Sequence, residues 1–261
     1  MNKISAFIIA KNEAGRITQA IQSVQTIAQE IIVVDSGSTD DTVQLATSLG
    51  CKVIHNDWPG YVGQKIFAEK QCQNDWVINL DADEILSDAL QKEISYIFSN
   101  NLQNKYKGYW IDIILTLPNE SSPRLFAPSH RYLRLYNRQY VSFANIRDNS
   151  RTHDSAFLLP GLREKDSLLR LLSPIYHQSI ISISHLVDKL NFYTNQQALD
   201  LIDSKKKIYK TRICLEMFIS TFKYFFLRRY FVFGLNGFIY SMILGFARFL
   251  RLAKTFEALH K

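Results

Sequence analysis

The sequence is poor in cysteine and lacks several familiar motifs. Its 261 residues contain three cysteines, Cys51, Cys72 and Cys214, with no Cys-x-x-Cys pair. This odd, scattered set excludes a disulfide scaffold and a cysteine zinc cage, and it suits a reducing compartment. No Gly-x-Gly-x-x-Gly follows the first apolar run, which argues against a dinucleotide oxidoreductase. The sequence also contains no internal repeat and no low-complexity segment.

The first apolar run is too short to be the core of a signal peptide. It covers residues 4–10, lacks a cleavage site and is followed at once by Lys11, Asn12 and Glu13. We therefore interpret it as a buried strand. Apolar residues make up 47% of the chain and charged residues 21%, so a sizeable folded core is expected.

Acidic residues are scarce at the carboxyl end. Residues 205–261 hold 12 Lys and Arg but two acids, Glu216 and Glu257, which gives +10, whereas residues 1–204 hold 19 basic and 22 acidic residues, or −3. The same 57 residues contain 14 of the 33 aromatic side chains. Because the basic residues flank long apolar stretches, an anionic membrane surface fits this segment better than nucleic acid.

An uncharged stretch of 18 residues, 230–247, lies within this basic end. A spanning helix needs ~20 mainly apolar residues, so the length is borderline. Arg228 and Arg229 precede the stretch and Arg248 follows it. Because basic residues lie at both ends, they do not indicate which end would face the inside of the cell. We expect a peripheral or monotopic anchor that lies at the membrane interface. The alternative is an ordinary core helix packed on the α/β domain.

Strands and helices alternate through the first 100 residues. Short apolar runs predict strands over 4–10, 31–35, 51–55 and 76–80, and helical spacing or caps predict helices over 14–29, 39–49, 60–73 and 87–99. This order predicts an α/β fold with a parallel sheet and right-handed crossovers. Further strands are predicted over 109–117, 131–136 and 174–179. Helices are predicted over 182–207 and 208–253, the latter with weak breaks near Gly234 and Gly237.

Three of the predicted strands end in polar residues. The segments are 10–13 (Ala-Lys-Asn-Glu), 35–40 (Asp-Ser-Gly-Ser-Thr-Asp) and 81–84 (Asp-Ala-Asp-Glu). Ligands of open α/β sheets bind beyond the carboxyl ends of the strands. Two carboxylates one residue apart, such as Asp81 and Asp83, suit Mg²⁺ or Mn²⁺ bridged to substrate phosphates. A single such end could merely cap a helix, but three on one edge predict a nucleotide-diphosphate site.

The order and spacing of these motifs resemble the family 2 glycosyltransferases. The resemblance extends to the WaaE/KdtX-like enzymes of lipopolysaccharide core assembly through the segments 63–65 (Gly-Gln-Lys), 75–77 (Asp-Trp-Val), 134–136 (Arg-Leu-Tyr), 174–177 (Pro-Ile-Tyr-His) and 189–193 (Lys-Leu-Asn-x-Tyr). It implies a GT-A fold, a Rossmann-like, mostly parallel sheet flanked by helices. It also implies a glycosyltransferase domain over 1–204, with a nucleotide-sugar half (1–100) and an acceptor half (101–204), and a helical, basic, aromatic, membrane-associating extension over 205–261.

The resemblance also implies a donor site. Its members would be Ala10, Asn12, Glu13, Asp35, Ser36, Lys65, Asp81, Ala82 and Asp83. Asp35 would bind a uracil-type base and Asp81 the ribose. Asp83, with Asp81 as a second candidate, would bind a divalent metal, Mg²⁺ or Mn²⁺, that stabilises the departing diphosphate. Lys65 would either add positive charge near the phosphates or be a solvated lysine on a helix surface.

An inverting transferase also needs a general base for the acceptor hydroxyl. Thr152-His153-Asp154 stands where the subfamily has Val-His-Glu, so the resemblance implies Asp154, whose side chain is one methylene shorter. Asp148 and Glu84 are rival carboxylates. His177 is interpreted as a strand histidine without a catalytic role.

The activity implied by the resemblance is metal-dependent, inverting transfer of a hexose, expected to be glucose from UDP-glucose. The acceptor would be a lipid-linked saccharide such as the lipopolysaccharide inner core, and the protein would be cytoplasmic and peripheral to the inner face of the membrane, without a nucleic-acid partner. Three alternatives stay open. A polyprenyl-phosphate glycosyltransferase would differ in its acceptor, a haloacid-dehalogenase-like phosphatase would share the Asp-x-Asp, and a non-catalytic membrane adaptor would keep the fold.

Overall fold

The computed structural model describes residues 3–118, 120–144, 155–204 and 209–260, and its first hundred residues alternate as predicted. The elements are β1 (Ile4–Ala10), α1 (Ile17–Gln25), β2 (Glu30–Asp35), α2 (Thr42–Ser48), β3 (Lys52–His55), α3 (Tyr61–Gln71), β4 (Trp76–Asp81), β5 (Glu84–Leu86) and α4 (Asp88–Ser99). Ser87 caps α4, as its position suggests, because its side chain accepts a hydrogen bond from the backbone N of Leu90. The short strand β5, directly after the Asp-x-Asp, was not predicted.

The middle of the chain is richer in short strands than the sequence suggests. The elements are β6 (Gly108–Leu115), β7 (Ser129–Asn137), β8 (Val141–Ser142), β9 (Phe157–Leu158), α5 (Glu164–Ser167), β10 (Leu168–Arg170) and β11 (Ile175–His177). A 3-10 turn, Leu102–Lys105, precedes β6. The predicted strands over 109–117, 131–136 and 174–179 correspond to β6, β7 and β11.

The main sheet is parallel on one side and mixed on the other. Its strand order among the described residues is β3-β2-β1-β4-β7-β6-β11-β5, and β10 pairs with β6. The pairs of β1 with β2, β1 with β4 and β2 with β3 are parallel. β7 runs antiparallel to both β4 and β6, and β11 runs antiparallel to β5. The structure therefore has the expected α/β class with a mostly parallel, GT-A-like sheet.

Alternate residues of the buried strands face two apolar layers. Ile4, Ala6 and Ile8 of β1 pack in the layer that contains α1 and α4. Phe7 and Ile9 face the opposite layer, which contains Ala68 of α3 and Cys72, the residue directly after that helix. Helices thus cover both faces of the parallel strands, which is why these strands are apolar throughout rather than alternating.

The described chain forms two compact units. The first holds the strands with α1 to α5, and the second holds Leu115–Pro128 and the helices from α6 onward. These helices are α6 (Ile183–Asp203), α7 (Lys210–Phe222) and α8 (Leu235–Leu259), with a π-helical turn at Lys223–Leu227 and a 3-10 turn at Tyr230–Phe233. α6 belongs to the same unit as α8, and Lys254 Nζ of α8 donates to Asn191 Oδ1 (2.7 Å) and Asn195 Oδ1 (2.6 Å) of α6. The predicted domain boundary after residue 204 stays a prediction.

The carboxyl-terminal segment is not one continuous helix. The break falls at Gly234, whose φ of 59° lies in the left-handed region, whereas Gly237 lies inside α8 and does not interrupt it. Gly245 allows α8 to approach α7 closely, because a Cβ there would lie 2.2 Å from Thr221 Oγ1 and 2.8 Å from the Met217 carbonyl oxygen. Among the helices in the described ranges, none combines the length and the apolar character needed to cross a membrane.

Candidate active site

Three neighbouring strands end at one edge of the sheet, as the sequence predicts. β1 lies between β2 and β4, and its register sets Ala10 opposite Asp35. On the other side of β1, Ile9 lies opposite Asp81. The residues expected to bind a donor therefore lie on one edge, where the carboxyl ends of parallel strands form the usual ligand-binding crevice.

The loops after β1 and β2 are hydrogen-bonded to each other. The Asn12 backbone N donates to Ser38 Oγ (2.8 Å), and the backbone N of Thr39 donates to Asn12 Oδ1 (2.8 Å). Asp35 Oδ2 accepts from the backbone N atoms of Gly37 and Ser38, each at 2.9 Å. Asn12 has a φ of 56°, a conformation that asparagine tolerates better than most residues. These bonds give Asn12 and Asp35 fixed positions at the edge.

Ser36 is tied to helix α3 through a buried amide. Gln64 Nε2 donates to Ser36 Oγ (2.9 Å), while Gln64 Oε1 accepts from Asn56 Nδ2 (2.7 Å). Gln64 is fully buried. The loop after β2 is therefore fixed to the start of α3, the helix that also supplies Lys65.

Lys65 is buried and forms an ion pair with the first aspartate of the Asp-x-Asp. Its side chain is 0% exposed, and Nζ lies 2.9 Å from Asp81 Oδ1, which excludes the alternative of a solvated surface lysine. Arg134 Nη2 lies 2.8 Å from Asp81 Oδ2. Burial alone would raise the pKa of Asp81, but Arg134 and Lys65 outweigh it and hold that pKa well below its usual range. Asp81 is consequently a fixed anion.

Asp83, the second aspartate, lies beside a histidine and an arginine. His177 Nε2, at the end of β11, is 3.3 Å from Asp83 Oδ2. Arg16 Nη1 is 3.5 Å from the same oxygen, and Arg16 Nη2 also pairs with Glu13 Oε2 at 2.5 Å. Glu13 and Asp83 are thus joined through one guanidinium.

Glu84 is a structural carboxylate, so it is not a suitable general base. It is 1% exposed, its Oε1 lies 2.5 Å from Arg134 Nη2, and its Oε2 accepts from the backbone N of Asp81 (3.0 Å). Burial raises the pKa of Glu84 above its usual range. Ala82, in the turn between the two aspartates, is buried as well. The burial of Glu84 and its pairing with Arg134 argue against a role as the base.

The predicted base lies outside the described residues. This applies to Thr152, His153 and Asp154 and to the rival Asp148. The strands on either side of this segment are described, and Val141 and Ser142 of β8 pair with Leu158 and Phe157 of β9.

A buried glutamate on α3 holds the strand that leads into this segment. Glu69 accepts hydrogen bonds from Tyr136 OH (2.7 Å), Ser142 Oγ (2.5 Å) and the backbone N of Phe143 (3.4 Å). Glu69 and Lys65 are four residues apart, so α3 presents both charged groups on one buried face. Glu69 was not predicted as a site residue, although its spacing from Lys65 in the sequence was available as a signal.

Two further side chains lie at the Asp-x-Asp turn: His177, which the sequence led us to interpret as a strand histidine without a catalytic role, and Arg16, which was not predicted. The register of β11 with β5 sets His177 opposite Glu84, which brings the histidine to the Asp-x-Asp turn. Within the described ranges, no group of three or more His, Cys, Asp or Glu side chains could hold a metal ion. Mg²⁺ in phosphate-binding sites commonly takes one or two carboxylates from the protein, with its other donor atoms from water and phosphate.

Comparisons with known proteins show the family of the chain. Residues 5–140 match the model of the family described as Glycosyl transferase family 2. An uncharacterized glycosyltransferase of Rickettsia felis is 53% identical over 261 residues, covering 100% of this chain and 92% of the relative. The lipopolysaccharide core biosynthesis glycosyltransferase LpsC of Rhizobium meliloti is 44% identical over 94 residues, 34% of each chain.

Solved structures resemble this chain less closely. Glucosyl-3-phosphoglycerate synthase from Mycobacterium tuberculosis, in complex with Mn²⁺ and UDP-glucose, is 23% identical with a TM-score of 0.34, over 45% of each chain. S. aureus TarS 1-349 is 14% identical with a TM-score of 0.43, over 97% of this chain and 89% of that one. The assignment rests on the family match and the full-length relative: the chain belongs to glycosyl transferase family 2.

Proposed function

We propose that this glycosyltransferase moves a hexose, glucose from UDP-glucose, with inversion onto a lipid-linked saccharide such as the lipopolysaccharide inner core. One observation carries the proposal. Asp81 and Asp83 follow a central parallel strand, Asp81 is held as an anion by two cations, and Asp83 lies beside His177. A carboxylate pair at this edge is suited to a nucleotide diphosphate and a divalent cation.

The donor would lie along the strand ends. Asp35, fixed by its own turn, would accept a hydrogen bond from the ring N–H of a uracil, and Asp81 would accept one from a ribose hydroxyl. Ala10, Asn12, Glu13, Ser36 and Ala82 would line the pocket. Lys65 would act mainly through Asp81, because its ammonium is buried against that carboxylate.

The donor atoms near Asp83 fit a divalent cation. Asp83 offers carboxylate oxygen and His177 offers imidazole nitrogen, a combination that suits Mn²⁺ and is acceptable to Mg²⁺. We infer that Asp83 and His177 would hold the ion, and that Asp81 serves the ribose rather than the metal because both of its oxygens already face cations. A bound cation would neutralise the charge that develops on the departing nucleoside diphosphate.

Inversion requires a single displacement. The acceptor hydroxyl oxygen attacks the anomeric carbon, the bond from that carbon to the diphosphate oxygen breaks, and the hydroxyl proton passes to a carboxylate. Asp154 is the proposed acceptor of that proton, with Asp148 as the remaining rival now that Glu84 is buried and paired.

The acceptor is proposed from the carboxyl-terminal charge and from relatives. The +10 charge of residues 205–261 favours a lipid-linked acceptor at the inner face of the cytoplasmic membrane. The WaaE/KdtX-like motifs and the partial likeness to LpsC point to a lipopolysaccharide core. A polyprenyl-phosphate acceptor would need the same donor chemistry. No observation favours a phosphatase.

The test is a panel of nucleotide sugars offered to the purified full-length protein. The expected result is slow, Mn²⁺-dependent hydrolysis of UDP-glucose, with weaker turnover of UDP-galactose and UDP-N-acetylglucosamine and none of GDP-sugars. Asp83→Asn should abolish hydrolysis. Asp166→Asn, which changes an exposed aspartate paired with exposed Arg163, should not. Equal turnover of all donors, or turnover in excess EDTA, would overturn the assignment.

A further inference from the structure

Helix α7 is apolar on the side that faces away from its own unit. Leu215, Phe218, Ile219 and Phe222 follow one another at helical spacing, and all four are exposed, Phe218 by 71%. The opposite side of α7 packs on α8 through the close approach at Gly245. We call the exposed row of four residues the α7 face. It is an apolar surface with no partner in the described part of the unit.

A second apolar projection belongs to the same unit. Leu125 and Phe126 are 78% and 65% exposed on the loop between β6 and β7. Phe126 has a φ of 61°, an uncommon conformation for a bulky residue. Arg124 Nη1 donates to the Val232 carbonyl oxygen (3.0 Å), which ties this loop to the 3-10 turn after α7. Core packing does not explain two large apolar side chains exposed at a loop tip.

The exposed charged side chains of the segment 209–238, which contains the α7 face, are basic. Between residues 209 and 238 the sequence has a single carboxylate, Glu216, which is buried and paired with Arg212. Lys210, Lys223 and Arg228 are exposed at the two ends of the face. Within residues 209–238, the surface is therefore apolar along its middle and basic at its ends, and the one acid is buried.

An apolar middle with basic ends fits an anionic membrane better than it fits a second copy of the chain. In a symmetric dimer the same patch would meet itself, so the basic ends would face like charges without any carboxylate to balance them. An anionic bilayer offers acyl chains to the apolar row and phosphates to the basic ends. We propose that the α7 face lies in the headgroup region of an anionic membrane, with Leu125 and Phe126 as a second contact. The inference rests on the proposed function at a lipid-linked acceptor.

The inference moves the membrane contact away from the uncharged stretch 230–247. That stretch is divided at Gly234, and Tyr240, Ser241 and Ala247 are buried within the unit. One side of α8 is therefore buried against α6 and α7, and packing on the α/β domain stays a prediction. α7, which contains charged residues and was not singled out, presents the larger exposed apolar row.

The experiment is co-sedimentation of the full-length protein with vesicles of phosphatidylcholine alone or mixed with phosphatidylglycerol. The test variant is Phe218→Ser with Phe222→Ser, and the matched control is Phe246→Ser, an exposed phenylalanine of α8 within 230–247. We expect the test variant to bind anionic vesicles at least about tenfold more weakly than the wild type. The vesicle affinity of the control should stay within about twofold of the wild-type value. Lys210→Glu with Lys223→Glu provides a second variant that leaves the apolar row intact, and it should lose binding to the anionic vesicles.

Each outcome decides the inference. Loss confined to Phe246→Ser would place the contact in 230–247 and overturn it. A wild-type protein that does not bind anionic vesicles would also overturn the inference. The inference would likewise be overturned if the wild type formed a concentration-dependent dimer without binding vesicles, and both α7 variants abolished that dimer. Mn²⁺-dependent UDP binding is measured on the same samples. If UDP binding persists while vesicle binding fails, the membrane surface is wrong and the transferase stands; if UDP binding is absent from the wild type, the proposed function fails instead.

Discussion

Lys65 Nζ lies 2.9 Å from Asp81 Oδ1, inside a protein layer where the lysine side chain has no solvent exposure. A lysine is rarely buried to this extent unless it is paired. Arg134 approaches the other carboxylate oxygen of Asp81 and also pairs with Glu84. The first aspartate of the Asp-x-Asp is therefore part of a buried charge network, and its ionisation is coupled to the stability of the fold.

The first prediction follows from the lowered pKa of Asp81. A carboxyl whose pKa is depressed by folding adds stability above its ordinary value of 3.8, and this stability is lost as the pH falls through the folded-state pKa. Asp81→Asn should lower the free energy of unfolding at pH 7 by about 2 kcal/mol, because it leaves buried cations less well paired. Urea unfolding measures the difference in the free energy of unfolding between the wild type and Asp81→Asn, and this difference should shrink below pH 3.8. A difference that does not change with pH would contradict the ion pairing.

Much of the sheet edge could be predicted from the sequence. Short β-branched runs predict buried strands, and the polar residues that follow them predict a ligand-binding edge. The strand registers confirm that Ala10, Asp35 and Asp81 lie at one edge of the sheet. These inferences needed local patterns and the rule that parallel strands end on one side.

The unpredicted parts of the site depend on contacts between distant segments. His177 lies beside Asp83 because β11 pairs with β5. β5 has three residues, and no sequence pattern predicts it. The sequence does not distinguish Lys65 from a solvated lysine, because the burial of its side chain depends on how α3 packs on the sheet. The carboxyl-terminal break was located only approximately, because Gly234 and Gly237 look alike in sequence and differ in backbone conformation.

The second prediction concerns Glu69, which we regard as a positioning residue. Glu69→Gln replaces one carboxylate oxygen by an N–H₂ group, which cannot accept the hydrogen bonds that Tyr136, Ser142 and Phe143 donate to this side chain. The substitution should therefore lower the free energy of unfolding by about 1–2 kcal/mol. Because Ser142 and Phe143 lead into the segment with Asp154, kcat should fall about tenfold while UDP affinity is retained. A parallel loss of UDP affinity with normal kcat would refute this role.

The third prediction concerns the base. Asp154→Asn should lower turnover by at least ~10²-fold and leave Mn²⁺-dependent UDP binding intact, since a general base acts on the acceptor and not on the donor. Asp148→Asn is the matched control and should remain active. If Asp148→Asn is inactive and Asp154→Asn is not, the two carboxylates exchange roles.

The fourth prediction concerns His177. If its imidazole helps to hold the cation, His177→Ala should weaken Mn²⁺ binding in the presence of UDP by about 10- to 100-fold. His130→Ala, which changes a histidine in an exposed position of β7, provides the control. An unchanged Mn²⁺ affinity in His177→Ala would limit His177 to an ion pair with Asp83.

The most direct test of the central claim, a metal-dependent nucleotide-sugar site at the end of β4, is calorimetric titration of UDP-glucose into the full-length protein with and without Mn²⁺. The wild type and Asp166→Asn should bind in Mn²⁺ and lose most of that affinity in EDTA. Asp83→Asn should stay folded but bind no more tightly with Mn²⁺ than without it, because an amide lacks the charge that attracts the cation. Undiminished, Mn²⁺-enhanced binding by Asp83→Asn would contradict the claim.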